Sequence, residues 1–372
     1  MDSIECFYNI LKSSLWGTVL TIPQDFDEWG RVFCLAKSHS VLGLVANAVL
    51  SNNEIAYRVH ADEQKNLKVF LMSNIATHTM LNNTMLKVVG ALRLNGVDPV
   101  LLKGQGIAKY YPIPELRQCG DIDIYVGQEA FEKSCSVIMA MSTPEDHQRD
   151  IPSLKHFHTR IGPAFIEIHR YTDVYWPKRY DRQYQKISDE GMSSKLVPLD
   201  FSGVHIMSPP IDFNVFYIFN HFWHHFIADG VGLRQICDWV MLLHASYGKI
   251  DLNNLSDMLV RIKLMKEWKV FGCIAVEALG LPADEMPFYD TRYRRKASKV
   301  LDLILLEGNF GRENLKGYKR PKGYFSGKFY SFIRRFRRNL RVLCLFPAES
   351  IRHILKIIVC GISVMFYDKL RI

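Results

Sequence analysis

The segment Asp121-Ile122-Asp123-Ile124-Tyr125-Val126 alternates polar and apolar side chains, and it constrains the fold more than any other part of this 372-residue chain. Such alternation predicts a half-buried β-strand. Residues two apart in a strand point to the same face, so Asp121 and Asp123 would place two carboxylates side by side. Like charges that close repel each other, and bound divalent cations are the simplest way to offset the repulsion. The motif also occurs on exposed strands and in turns, so its neighbours decide what it indicates.

A second predicted strand supplies a third carboxylate. Residues 155–160 and 164–169 have the pattern of a strand pair joined by a turn. In the second strand the isoleucines would face the core and leave Glu167 and His169 on the opposite face. A third carboxylate on a neighbouring strand is what a two-ion site needs. We therefore predict a Mg²⁺ or Mn²⁺ site and a neighbouring nucleotide contact from His169; the predicted metal ligands are Asp121, Asp123 and Glu167.

A glycine-containing junction precedes this strand. Lys103-Gly104-Gln105-Gly106 ends a short apolar strand at 98–102, and a short helix is predicted to follow. Glycines let a backbone approach phosphate closely, and a helix N-terminus favours anions. Lys103, Gly104 and Gly106 are therefore candidate phosphate contacts, although an ordinary strand-to-helix turn has the same pattern. Arg117 is a candidate for stabilising phosphate charge, with a plain salt bridge as the alternative.

Together these motifs resemble a bacterial nucleotidyltransferase family of the DNA polymerase beta-like nucleotidyltransferase superfamily, often linked to surface-polysaccharide gene clusters. The resemblance covers roughly residues 65–245 and rests on Leu101-Leu102-Lys103-Gly104, on Arg117 with Asp121-Ile122-Asp123, and on Glu167-Ile168-His169. It implies that Asp121 and Asp123 match the metal-binding pair and that Glu167 matches the third carboxylate. Lys103-Gly104 stands where the wider superfamily has Gly-Ser. Lys103 is then the candidate cation for the phosphate that the serine would hold.

The predicted strands cluster between 98 and 206, with predicted helices on both sides. This order predicts an α+β fold: a nucleotidyltransferase-type mixed sheet core with a helical N-terminal region and a helical C-terminal domain. The expected units are 1–95, 96–207, 208–310 and a basic amphipathic tail at 311–372. The predicted helices include 41–50, 62–94, 128–141, 211–227, 233–247, 252–262, 267–279 and 292–306.

The N-terminus and the cysteines predict a cytoplasmic protein. Asp2 and Glu5 precede any apolar run, a pattern that does not fit a secretory signal peptide. The eight cysteines include no C-x-x-C pair, so the sequence suggests neither a zinc ribbon nor a thioredoxin-type redox site. Reduced thiols are expected.

A histidine cluster follows in the helical part. His221 and His225 are four apart and share a helix face, with His224, Arg234 and Asp238 nearby in sequence. The pattern favours hydrogen bonding in a substrate pocket or between domains. Structural packing is the second interpretation, and zinc binding is the third because no clear third ligand accompanies the histidines.

The C-terminal part carries most of the net charge of +9. From Lys316 to Arg341 there are ten Lys or Arg residues and no acid. Phe332, Ile333, Phe336 and Leu340 fit one helical face among these arginines. Peripheral contact of 316–341 with the inner membrane face is one expectation, packing on the protein body is another, and nucleic acid is a less favoured partner. The apolar run at 357–367 is too short to span a bilayer.

The expected reaction is metal-dependent transfer of a nucleoside monophosphate from a nucleoside triphosphate to an unknown acceptor. The family resemblance implies that this acceptor belongs to surface polysaccharide biosynthesis. A glycosyltransferase with a D-x-D metal site is the first alternative. The chain lacks the regular strand–helix alternation of a doubly wound nucleotide-binding domain, which disfavours it. A catalytically degenerate scaffold that binds a nucleotide is the second alternative.

Overall fold

The architecture is a six-stranded mixed sheet surrounded by helices, in a computed structural model that describes residues 1–143, 155–311, 321 and 323–369. The strands are β1 (Val100–Leu101), β2 (Asp121–Tyr125), β3 (His156–Ile161), β4 (Ala164–His169), β5 (Val197–Phe201) and β6 (Val204–Ser208). The N-terminal helices are α1 (Ser3–Trp16), α2 (Trp29–Ser38), α3 (Leu42–Leu50), α4 (Asn53–Ala56) and α5 (Ala61–Leu94). The predicted fold class is confirmed.

Helices also interrupt and follow the strands. Within the sheet region lie α6 (Gln105–Ala108), α7 (Gly127–Met141) and α8 (Lys178–Met192). After it come α9 (Ile211–Ala228), α10 (Leu233–Ala245), α11 (Leu252–Arg261), α12 (Met265–Cys273), α13 (Arg294–Glu307), α14 (Tyr324–Leu343) and α15 (Pro347–Lys369). The helix predicted at 267–279 leaves the α-helical form after Cys273 and continues as a π-helical turn, Ile274–Ala278.

The strand order is β3-β4-β2-β1-β6-β5. The β3–β4 and β5–β6 pairs are antiparallel hairpins, whereas β2–β4 and β1–β6 are parallel. The register of the parallel β2–β4 pair places Asp123 opposite Glu167 and Tyr125 opposite His169. The strand pair predicted from sequence is thus confirmed, and it lies directly beside the Asp121–Asp123 strand.

One face of the sheet packs against α5 and α7. Ile122 and Ile124 of β2 and Ile166 and Ile168 of β4 are buried in one cluster with the second half of α5. The apolar residues of that half recur at three- and four-residue steps, so one helical stripe covers the sheet; its buried members are Leu81, Met85, Val88, Val89 and Leu92. Because strand residues alternate between faces, the carboxylates of β2 and β4 lie on the other side.

The opposite side of the sheet faces a second, larger core. Helices α1–α3 share this cluster with α9, α10, α11 and α12, so the helices from both ends of the chain bury apolar side chains together. The division at 95 and 207 stays a prediction. This packing sets α9 over the polar face of the sheet.

The C-terminal helices α14 and α15 pack on this body. Phe346, between them, lies with its ring centroid 4.9 Å from that of Trp223 and 5.8 Å from that of Phe226, both on α9. The predicted basic helix is therefore present, and part of it packs on the protein. The apolar run at 357–367 lies inside α15. Among the described residues, no helix has the length and hydropathy needed to cross a bilayer.

Candidate active site

The carboxylates of β2 and β4 meet at Lys103 and His169. Asp123 is fully buried, and its Oδ1 lies 2.8 Å from Lys103 Nζ and 2.9 Å from His169 Nε2. The same His169 nitrogen lies 3.3 Å from Glu167 Oε2. The parallel register brings these groups together because residues at matching positions of neighbouring strands share a face.

These side chains fit a divalent metal ion. Single ligand atoms of Asp123, Glu167 and His169 lie within 4.8 Å of one another. The second oxygen of Asp123, Oδ2, is buried and accepts no hydrogen bond from the part of the chain that the structure describes. An unpartnered buried carboxylate oxygen is costly unless a cation binds it. Two carboxylates and an imidazole form a donor set that accepts Mn²⁺ or Zn²⁺ and, through the oxygens, Mg²⁺.

The grouping differs in one respect from the predicted ligand set. His169, predicted to contact the nucleotide, belongs to the metal-competent group with Asp123 and Glu167. Asp121 lies outside that group but lines the same cavity. The roles predicted for Asp121 and His169 therefore stay predictions, with His169 the better placed of the two for direct metal ligation.

Lys103 provides positive charge at the centre of the site. Burial alone would lower the pKa of its ammonium group, but the charges of Asp123, Asp121 and Glu167 outweigh burial and raise that pKa. Burial would likewise raise the pKa of Glu167, but the hydrogen bond from His169 and the charge of Lys103 hold that pKa well below its usual value. The lysine thus offsets part of the carboxylate repulsion for which the sequence suggested divalent cations as the simplest remedy.

The backbone of Gly104 lies close to strand β2, whereas that of Gly106 does not. Gly104 has φ of 58°, and a Cβ there would lie 3.0 Å from the backbone oxygen of Asp121. A Cβ on Gly106 would instead meet the side chains of Leu101 and Leu199. Gly104 lines the cavity, whereas Gly106 is buried in the core. The phosphate contacts predicted for both glycines stay predictions, with Gly104 the better placed of the two.

Arg117 is engaged in a buried ion pair. Its Nε and Nη2 donate to the two oxygens of Asp238, each at 2.7 Å, and Nη1 donates to Cys119 Sγ at 2.9 Å. Tyr111 adds a 2.7 Å hydrogen bond to the same carboxylate. Arg117 lines the cavity but its guanidinium is committed to Asp238, which corresponds to the salt-bridge alternative.

Arg234 is a second arginine at the cavity, and its side chain has spare donor capacity. Nη1 donates to the backbone oxygen of Gln118 at 2.8 Å. Its Nε is buried and has no hydrogen-bond partner within the described ranges. In the sequence Arg234 stands out only as a neighbour of the histidines, because nothing in the pattern shows that α10 faces the sheet.

The histidines of α9 face the same cavity. His221 Nε2 lies 3.3 Å from Lys103 Nζ and 3.1 Å from His225 Nε2. Burial, together with the charge of Lys103, lowers the pKa of His221 well below its usual range and that of His225 to about 4. Both rings are therefore neutral near pH 7 and can exchange hydrogen bonds with a substrate. The substrate-pocket interpretation of the cluster stays a prediction.

A buried aspartate that sequence analysis missed organises the next part of α9. Asp173 lies 2.9 Å from Lys155 Nζ and 2.7 Å from His224 Nδ1, and Asn220 donates to it at 3.2 Å. Asp173 follows β4 in an irregular segment with no motif. No sequence signal was present to identify it.

Two cavities adjoin at these residues. The first, of about 290 Å³, contains the carboxylates, Lys103, Gly104 and Arg234. The second, of about 340 Å³, extends from Asp173 towards α15. Lys155, His221 and His225 line both, so the two cavities are neighbours with a shared wall of nitrogen groups.

The comparisons with known proteins agree with the motifs. The family model described as "Uncharacterised nucleotidyltransferase" matches residues 25–280. No curated protein matches the chain significantly. A solved structure, an antigenic nucleotidyltransferase-like protein from Paracoccidioides brasiliensis, is similar with 14% sequence identity and a TM-score of 0.32, over 59% of this chain and 96% of that one. Because the family model spans more than half of the sequence, the chain belongs to the family of uncharacterised nucleotidyltransferases.

Proposed function

We propose that this protein is a metal-dependent nucleotidyltransferase whose reaction takes place in the cavity of Asp121, Asp123 and Glu167. The observation that carries the proposal is the unpartnered buried oxygen of Asp123 beside Glu167 and His169. A buried anionic oxygen in a metal-competent group needs a cation, and a nucleoside triphosphate brings Mg²⁺ or Mn²⁺ with it. Family membership supplies the reaction class.

The reaction transfers a nucleoside monophosphate. An acceptor oxygen forms a bond to the α-phosphorus, the bond from that phosphorus to the bridging oxygen breaks, and pyrophosphate leaves. The acceptor proton passes to Glu167. A divalent ion held by Asp123, Glu167 and His169, with Asp121 beside them, would neutralise the phosphates and activate the attacking oxygen.

The surrounding residues position the phosphates. Gly104 exposes backbone at the cavity, and Lys103 lies close enough to the carboxylates to move onto a phosphate oxygen when a metal ion replaces it. Arg234, with its free Nε, takes the charge-stabilising role first predicted for Arg117. Arg117 holds Asp238 and so fixes α10 against the sheet.

The proposal includes an acceptor from surface polysaccharide synthesis at the inner membrane face of the cytoplasm. Support for the membrane part comes from the C-terminal helices. Arg337 and Arg341 of α14 are exposed. Exposed apolar side chains recur along one face of α15, at Ile351, Leu355, Ile358 and Val359. Basic and apolar groups on adjacent helices suit an anionic lipid surface.

Thermal-shift titration tests the nucleotide part of the proposal. Each nucleoside triphosphate is added to the full chain with Mg²⁺, with Mn²⁺ or with EDTA. A ligand that binds only the folded chain raises the midpoint. We expect a metal-dependent rise for at least one nucleotide, lost in Asp121→Asn/Asp123→Asn. The matched control is Asp25→Asn/Asp302→Asn, which removes two exposed carboxylates elsewhere. No rise for any nucleotide would favour the degenerate scaffold.

Product analysis separates the enzymatic alternatives. With a nucleoside triphosphate and a cell extract as the acceptor source, the proposed reaction releases pyrophosphate and labels an acceptor from the α-phosphate. A D-x-D glycosyltransferase would instead release a nucleoside diphosphate from a sugar nucleotide. Release of neither product by folded protein that binds nucleotide would point to the scaffold.

A further inference from the structure

One face of α14 is built from arginines. Arg334, Arg337, Arg338 and Arg341 stand at positions i, i+3, i+4 and i+7 of the helix, which places them on one face. With Arg335 they line a third cavity of about 210 Å³, which Ala228, Asp229 and Gly311 also line. That volume is smaller than a typical small-molecule site and suits a single charged group.

The arginines outnumber the acids that neutralise them. Asp229 forms salt bridges with Arg334 at 3.1 Å and with Arg335 at 3.2 Å. Glu307 forms one with Arg338 at 2.8 Å. Arg337 and Arg341 have no carboxylate partner among the residues that the structure describes. The five arginines of the cavity therefore carry an excess of three positive charges over these two acids. Guanidinium groups in such numbers are suited to phosphate oxygens, which they bind with paired hydrogen bonds.

The arginine cavity is connected to the carboxylate cavity through the middle cavity between them. Ala228 and Asp229 line both it and the cavity of about 340 Å³ beside Asp173. That middle cavity in turn shares Lys155, His221 and His225 with the carboxylate cavity. The three cavities thus adjoin in a fixed order. The carboxylate cavity comes first, the middle cavity with its neutral histidines second, and the arginine cavity third. The middle cavity has a volume within the range of small-molecule sites, about 300–1,000 Å³.

We propose that the arginine cavity binds a phosphate group of the acceptor, whose body lies in the middle cavity and whose reacting oxygen reaches the carboxylate site. The acceptor is then a phosphate ester or diphosphate, either free or carried by a lipid. Its role as acceptor rests on the proposed nucleotidyl transfer, whereas the binding of phosphate by these arginines does not.

Pyrophosphate in EDTA is the probe. Isothermal titration calorimetry of the full chain at low ionic strength should show binding that weakens about tenfold or more in Arg337→Gln/Arg341→Gln, because each lost guanidinium removes charge-assisted hydrogen bonds. Both residues are exposed, so the fold should tolerate the change. The matched control is Arg295→Gln/Lys299→Gln, which removes two exposed positive charges from α13 and should bind like wild type.

A second variant separates this site from the carboxylate cavity. Asp121→Asn/Asp123→Asn should keep the pyrophosphate affinity of wild type in EDTA. Loss of binding in that variant, or equal binding by Arg337→Gln/Arg341→Gln and wild type, would overturn the proposal. The pyrophosphate titration contains neither metal nor nucleotide, so it can show binding by the arginines even if no nucleotide shifts the unfolding midpoint. Failure of the phosphate site is thereby distinguished from failure of the proposed nucleotidyl transfer.

Vesicles identify the source of the phosphate. Sedimentation with phosphatidylcholine vesicles containing phosphatidic acid, lost in Arg337→Gln/Arg341→Gln and retained in Arg295→Gln/Lys299→Gln, would assign a lipid-borne phosphate. Arginine-dependent pyrophosphate binding without such sedimentation would assign a soluble one. Sedimentation that is equal in all three proteins would overturn a lipid-borne phosphate at these arginines.

Discussion

At the scale of single residues, Lys103 carries more of the electrostatics than sequence analysis indicated. Its ammonium group lies 2.8 Å from Asp123 Oδ1, and the charges of three carboxylates act on it. A buried carboxylate that loses its partner is destabilising by about 3–5 kcal/mol. A divalent ion on Oδ2 and the lysine on Oδ1 are therefore alternative cations for the same carboxylate.

Replacing the lysine should make the fold depend on metal. We expect Lys103→Met to lower the free energy of unfolding by about 3 kcal/mol in EDTA, since the buried carboxylate of Asp123 loses the lysine charge and keeps only His169 as a partner. Saturating Mn²⁺ should restore most of that loss, so the Mn²⁺-induced shift in midpoint should exceed that of wild type. Urea denaturation with and without Mn²⁺ measures both quantities.

Lys155→Met is the matched control for this prediction. It removes another partly buried lysine from a carboxylate, that of Asp173, which lies outside the metal-competent group. Its Mn²⁺ response should equal that of wild type. A Lys103→Met protein with no greater Mn²⁺ response than wild type would show that the lysine and the metal do not share ligands.

Residue identities were largely predictable from the sequence where a strand presented them. Alternation is a local rule, so it placed Asp121 with Asp123 on one face of their strand and set Glu167 on the polar face of its own. The parallel pairing of β2 with β4, which brings the three carboxylates to one cavity, joins strands that α7 and β3 separate in sequence. The pairing of Arg117 with Asp238 joins residues 121 positions apart, so no local pattern could show that this arginine is already occupied. Arg234 and Asp173 were missed because their partners also lie far along the chain and neither residue belongs to a motif.

At the scale of elements, the Arg117–Asp238 pair fixes α10 against the segment that leads into β2. We expect Arg117→Met to lower the free energy of unfolding by about 3–5 kcal/mol, because it leaves a buried carboxylate unpaired. Arg117→Met/Asp238→Leu should recover part of that loss, since both charges are then gone. Urea denaturation of the two variants measures this.

Arg234→Gln is the companion variant at the same helix. It should change stability little but reduce or abolish the nucleotide-dependent thermal shift, because Arg234 lines the cavity that holds the phosphates in the proposed complex. Retention of the full nucleotide shift by Arg234→Gln, with loss of it in folded Arg117→Lys, would return the phosphate role to Arg117.

Most elements followed from periodicity, and the exceptions have local reasons. The 34 residues of α5 and the helices α9–α11 were predicted within a few residues. The hairpin of β5 and β6 was not singled out, although its Ser202-Gly203 turn, with φ of 54° and 86°, is a two-residue hairpin signal. The π-helical turn at the end of α12 has no sequence signature that distinguishes it from an α-helix.

At the scale of the whole molecule, the C-terminal helix α15 packs near α12, and the carboxyl group of Glu267 is buried between them. Burial, together with the charge of Glu349 on α15, raises the pKa of Glu267 on α12 to about 7. Lys296 of α13 and Arg352 of α15 act in the opposite direction but do not cancel the effect. Glu267 Oε2 has no hydrogen-bond partner in the described part of the chain.

This carboxyl group should make stability fall with rising pH. Because the folded pKa of about 7 lies above the usual value of 4.5, the folded chain keeps a proton that the unfolded chain loses, and stability declines between about pH 4.5 and pH 7. Glu267→Gln should therefore raise the free energy of unfolding by about 2–3 kcal/mol at pH 8 and by much less at pH 4.5. Urea denaturation at both pH values measures the difference. An equal gain at both would mean that Glu267 titrates normally, and exposed Glu54→Gln should show no gain.

The location of a bound metal ion tests the central claim most directly. Crystals of the full chain grown with Mn²⁺ and a non-hydrolysable nucleoside triphosphate would be measured for the anomalous scattering of manganese. We predict a peak bonded to Asp123 Oδ2, about 2.0–2.2 Å away, with triphosphate oxygens completing its coordination and with Lys103 moved from the carboxylate. Bound nucleotide whose manganese lies away from Asp123, Glu167 and His169 would contradict the assignment of this site.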